Sequence, residues 1–97
     1  MVAYWVARGN VMQPERYQKY AERVPAILQR YGGRVLARGA KYQILEGPTK
    51  FNRFVVVEFP SFEQAVACHD CPEYQEAAMF RKDGAGEVEL VIVDGAG

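Results

Sequence analysis

The chain has 97 residues, with twelve basic and twelve acidic side chains, one histidine, two cysteines and five prolines. That length supports one hydrophobic core, so residues 1–97 are expected to form a single domain. Zero formal net charge argues against nucleic acid or an anionic membrane as the main partner, since both select a basic excess, and no apolar run reaches the ~18 residues of a membrane span.

Val2–Arg8 is β-branched and aromatic and meets Gly9-Asn10, which predicts a first strand. Pro14 suits the first position of a helix. Beyond it Tyr17, Tyr20, Ala21, Val24, Ile27, Leu28 and Tyr31 recur at three- and four-residue spacing, the mark of a helix with one buried face. Pro25 removes a backbone hydrogen bond inside it and predicts a kink or break. Gly32-Gly33 ends it. Arg34–Arg38 reads as a second strand, interrupted at Gly39-Ala40 and resumed over Tyr42–Glu46. Arg53–Phe59 is the strongest strand signal. Pro60 closes it, and Ser61 with Gln64 forms a capping box that opens a second helix. Pro72–Arg81 is a further short helical stretch, and Val88–Val93 a last strand.

The order β-α-β-β-α-β predicts an α+β, ferredoxin-like plait: a four-stranded antiparallel sheet with two main helices on one face. Strands one and three are expected as central, parallel neighbours. The strands are apolar on both sides: Tyr4 and Val6 oppose Ala3, Trp5 and Ala7, and Val88, Leu90 and Ile92 oppose Val91 and Val93. Helices shield one side only. A second copy of the chain is the simplest cover for the other, so a homodimer through the sheet face is expected.

Few motifs suggest chemistry. Cys68-His69-Asp70-Cys71 contains a C-x-x-C, but no second Cys/His pair completes a zinc site, and no metal or cofactor is expected. Two cysteines three apart make no disulfide framework, and Met1-Val2-Ala3-Tyr4-Trp5 lacks the features of a secretory leader, so a cytoplasmic location is expected. Cys71 precedes Pro72, where a helix N-terminus favours a thiolate. His69 follows Phe62, Ala65 and Val66 at helical spacing, which gives it either a place in the core or one lining a cavity as acid or base. Arg8, Glu58 and Arg38 are expected at one end of the sheet, forming an ion pair there or a mouth for a small anionic or carbonyl ligand. An RNA-recognition strand is rejected: Asn52–Phe59 has Arg53 and Val55 where glycines belong and Val56 in place of an aromatic.

Ala3-Tyr4-Trp5-Val6, Tyr31-Gly32-Gly33-Arg34, Arg38-Gly39, Leu45-Glu46-Gly47, Val57-Glu58-Phe59-Pro60-Ser61 and Pro72-Glu73-Tyr74 run in order over nearly the whole chain. With these motifs it resembles the bacterial proteins grouped as domain of unknown function 1330, in the dimeric α/β-barrel superfamily. The resemblance implies a dimer of two facing sheets and a cavity between helices and sheet, with no established activity. The chain departs from the family pattern at Cys68 and His69, where aromatics are usual, and at Cys71, where a serine or similar cap is common. A smaller, more polar pocket is therefore expected. Two functions follow as expectations. The first is a small-molecule-binding domain with Tyr4, Arg8, Tyr31, Glu58 and Cys71 as ligand contacts. The second is a cofactor-free enzyme acting on a small carbonyl or aromatic compound, with His69 as acid or base and Arg38 stabilising negative charge.

Overall fold

The computed structural model describes residues 1–96. Its elements are β1 (Ala3–Val11), α1 (Pro14–Arg30), β2 (Arg34–Ala37), β3 (Arg53–Phe59), α2 (Phe62–Asp70), α3 (Pro72–Lys82) and β4 (Gly86–Asp94). They build one four-stranded antiparallel sheet in the order β2-β3-β1-β4, the ferredoxin-like α+β arrangement.

Alternation along the strands explains the core. Ala3 and Trp5 of β1 and Val57 and Phe59 of β3 are buried under the helices, with Ala7, Val55, Leu90 and Ile92 partly buried around them. Helices α2 and α3 supply Ala65, Cys68, Tyr74, Ala77 and Ala78, Cys71 joins them from the cap between the two, and α1 supplies Ile27 and Leu28. The Ser61 half of the capping box forms, with Gln64 N–H donating to Ser61 Oγ at 3.1 Å, while the Gln64 side chain bonds to the Ser61 hydroxyl at 3.3 Å and the Tyr31 carbonyl at 3.2 Å.

Four expectations are corrected. β1 and β3 are antiparallel, because the α1 crossover makes β2 parallel to β1 and the return into β3 reverses the chain between them. The break at Pro25 does not occur: α1 runs unbroken from Pro14 to Arg30, with Pro25 itself exposed. β1 does not stop at Gly9-Asn10 but pairs on to Val11, opposite Gly86. Residues 42–46 form no strand. The β2–β3 register would set them against residues 47–51, which include Pro48 without an N–H, so residues 38–52 remain a loop. Tyr42 of that loop packs on Phe54 with ring centroids 4.8 Å apart.

The sheet face away from the helices is apolar and open. Val6, Leu36, Val91 and Val93 are all more than a third exposed there.

Candidate ligand cavity

The helix-facing positions of β1 shrink along the strand, from Trp5 to Ala7 to Gly9. Beneath the middle of α1 this leaves a hollow of about 60 Å³. Trp5, Tyr17, Tyr20, Val24, Leu28 and Val57 make its apolar walls. The Tyr17 ring packs on Gly86, where a Cβ would come within 2.8 Å of it, so glycine there lets the ring reach the sheet. Arg8, Arg38 and Arg53 join the lining at the end of the sheet.

These arginines differ in their partners. Arg8 forms an ion pair with Glu89 at 2.7 Å and lies 4.4 Å from the centre of the Phe51 ring. Arg53 lies 5.6 Å from the centre of the Tyr17 ring. Among the described residues, Arg38 and Arg53 have no carboxylate within ion-pair distance.

Behind the inner wall lies a second polar group. Tyr20 and Tyr74 share a hydroxyl–hydroxyl hydrogen bond of 2.8 Å, and Arg81 Nη2 donates to the Tyr74 oxygen at 3.2 Å. Burial, reinforced by Tyr74, holds the Tyr20 phenol well above the usual tyrosine range. Burial likewise raises Tyr17, with Tyr20 adding to it and Arg53 opposing. Both phenols are therefore neutral near pH 7. Arg81 is 7% exposed. Burial works against its charge, but the Tyr74 and Tyr20 oxygens outweigh it and raise its pKa.

The sequence-derived site residues fall into separate places. Arg38 lines the cavity, and Arg8 borders it from a strand position that shares the parity of Tyr4 and Val6, paired with Glu89 across the sheet. Glu58 does not join them: it pairs across the sheet with Tyr4, at the end of β1 opposite Arg8, and sits 3.7 Å from Arg34. That corrects the expected shared end, which depended on parallel strands. Tyr4 and Glu58 both point to the open sheet face. Tyr31 and Cys71 meet at the start of α3, where the Cys71 Sγ accepts from Tyr74 N–H at 3.4 Å and raises the Tyr31 phenol by hydrogen bonding. Glu73 beside them is held below its usual range, first by its own backbone N–H and then by Cys71. His69 packs behind the Trp5 wall, 6.0 Å from the Trp5 ring and 5.5 Å from Tyr74, with Nδ1 2.9 Å from Asp70. The cavity lining includes neither His69 nor Cys68, so the departures from family pattern at those positions do not set its polarity. Among the described residues no cluster of His, Cys, Asp or Glu could hold a metal ion, and no helix is long and apolar enough to cross a membrane.

Sequence reasoning did not place Tyr17, Tyr20 and Arg53 around a cavity, or Tyr74 and Arg81 behind its wall. One signal was present. Tyr74, Ala77, Ala78 and Arg81 follow i, i+3, i+4, i+7 spacing, which places a charge on a buried stripe.

Plait and hollow together define a small ferredoxin-like α+β protein with a cavity between helix and sheet. The chain belongs to the family described as Domain of unknown function (DUF1330), which matches residues 2–96. No curated protein matches it. Among solved structures it is similar to a protein of unknown function from Rhodopseudomonas palustris (21% identity, TM-score 0.75, 99% of this chain and 83% of that one). It is also similar to SnoaB, a cofactor-independent oxygenase from Streptomyces nogalater (15% identity, TM-score 0.65, 99% and 94%). A dimeric ferredoxin-like protein of unknown function from Jannaschia sp. CCS1 is similar as well (14% identity, TM-score 0.64, 98% and 100%). At these identities the likeness is one of fold.

Proposed function

We propose that this protein binds a small anionic molecule in the cavity under α1, as a homodimer joined through its open sheet faces. The observation that carries the ligand assignment is the pair of arginines, Arg38 and Arg53, without carboxylate partners at the end of an apolar hollow. A guanidinium beside apolar walls recognises a carboxylate by paired N–H donors. The cavity volume, far below the roughly 300–1,000 Å³ of drug-sized pockets, limits the ligand to a few heavy atoms. The dimer is supported by the exposed valines and leucine of the second sheet face and by the dimeric state of ferredoxin-like neighbours. Two free cysteines fit a reducing cytoplasm, which we propose as the location.

Calorimetric titration with butanoate and with its uncharged amide tests the ligand class. The acid should bind at least tenfold more tightly, and Arg53→Ala should remove that preference. Equal binding of acid and amide, or none of either, overturns the assignment.

A further inference from the structure

Arg81 is a buried cation whose surroundings do not explain it. Among the described residues no carboxylate reaches it, and its Nε has no hydrogen-bond partner. Its neighbours are phenols: the Tyr74 oxygen accepts from it, and the Tyr20 ring centre lies 5.1 Å away. Leaving such a charge unpaired is costly, so what its field acts on matters.

Proton counting along the chain of hydroxyls gives a direction. Tyr74 already accepts from Arg81 and is 1% exposed, outside the cavity lining. If Tyr20 donated to Tyr74, the Tyr74 proton would be left in the core with no acceptor, a desolvated donor. The favoured order is therefore Arg81 to Tyr74, Tyr74 to Tyr20. That order leaves the Tyr20 proton without a protein acceptor, and Tyr20 is a cavity wall. A donor at the end of such a chain is strengthened by the cation behind it.

We propose that Tyr20, polarised by Arg81 through Tyr74, donates a hydrogen bond to a carbonyl oxygen of the ligand, so that the cavity takes small oxo acids in preference to plain carboxylic acids. The carboxylate sits at Arg38 and Arg53, and the oxo group faces the tyrosine wall. This rests on the anion-binding assignment above and adds a second recognition point to it. Tyr20 is a ligand-contacting residue. Tyr74 and Arg81 are positioning residues.

The experiment compares 2-oxobutanoate with butanoate, which share chain length and charge. The wild type should bind the oxo acid about tenfold more tightly, the size of one good hydrogen bond from a charge-assisted donor. Tyr20→Phe should abolish that preference, bringing the ratio of the two affinities to about one. Infrared spectra of 2-oxobutanoate labelled with carbon-13 at the oxo carbon give a second readout. The carbonyl stretch should move to lower wavenumber on the wild type, move less on Tyr74→Phe, and stay at its solution position on Tyr20→Phe. Equal wild-type affinities overturn the tyrosine assignment while leaving the anion site standing, whereas failure of both acids to bind removes the anion site itself. A preference that survives in Tyr20→Phe also overturns it. Should that variant not fold, an unshifted carbonyl band on the wild type is decisive against it.

Discussion

Val91→Glu tests the proposed dimer most directly. Val91 is 57% exposed on the edge strand β4, opposite Val6, on the sheet face that no helix covers, with Val93 at 49%, Leu36 at 45% and Val6 at 38%. Full burial of a valine side chain contributes roughly 1.5–3 kcal/mol, so the part of Val91 still exposed contributes about 1 to 1.5 kcal/mol when a second copy covers it. A glutamate forfeits this and also carries a carboxylate into a dry face. The two-fold axis places two such carboxylates in each dimer, and each costs several kcal/mol to desolvate. A combined loss of at least about 4 kcal/mol weakens association about a thousandfold. Light scattering at micromolar concentration should give twice the 10.9 kDa chain mass for the wild type and the single-chain mass for Val91→Glu, with unchanged far-ultraviolet circular dichroism. Glu22→Gln, on the exposed side of α1, should remain dimeric. A wild type that is monomeric and folded, or a Val91→Glu variant that still pairs, refutes the face assignment.

Two further outcomes follow from the same geometry. His69 stands behind Trp5 and outside the cavity lining, so His69→Ala should lower stability by about 1 kcal/mol through lost ring contacts and leave butanoate affinity within threefold; a tenfold loss in titration would place His69 in the site. Burial, helped by Cys71, raises the Cys68 thiol from 9.0 to about 12. A raised thiol stabilises the fold fully below its unfolded pKa and loses that contribution as pH climbs toward the folded value. The loss begins near pH 9, grows by about 1.4 kcal/mol per pH unit and reaches at most about 4 kcal/mol. Urea midpoints should therefore fall more steeply between pH 9 and 10 for the wild type than for Cys68→Ala; equal slopes would show that Cys68 is not shielded from water.

Local signals were legible where one residue type has one physical use. Ser61 with Gln64 and Cys71 before Pro72 located two helix starts, because an exposed N–H needs a side-chain acceptor. The apolar stripe of α1 was equally clear, and it outweighed Pro25: packing of Ile27 and Leu28 holds the helix through the missing hydrogen bond. Strand polarity was not local. Arg8 and Glu58 share an end only if β1 and β3 run parallel, whereas the crossover makes β1 parallel to β2, two positions away in the sheet. Of the residues around the cavity, the sequence singled out Arg8 and Arg38. The inner wall was not legible, because Tyr20 and Tyr74 look like core in sequence, and only the hydroxyl pairing 54 residues apart distinguishes them.

The cavity itself has a simple origin that can be reversed. On the helix-facing side of β1, Trp5 fills the space under α2 and α3 by packing on Phe59 and Tyr74 at 5.7 and 5.2 Å. Two positions on, Ala7 offers one methyl group, and Gly9 none, so α1 spans a gap that no side chain fills. Unfilled volume costs about 24 cal/mol per Å³, which for 60 Å³ is at most about 1.4 kcal/mol of stability left unused. Ala7→Val keeps β-strand preference and puts two more methyl groups into that gap. A domain of this size gains about 4–8 °C per kcal/mol, so the melting temperature should rise by up to about 10 °C while butanoate binding falls at least tenfold. Together these changes identify the gap as space retained for a ligand at the expense of packing. A variant that melts lower and binds as before would mean that Ala7 faces a filled layer, and that the hollow under α1 is not where the anion goes.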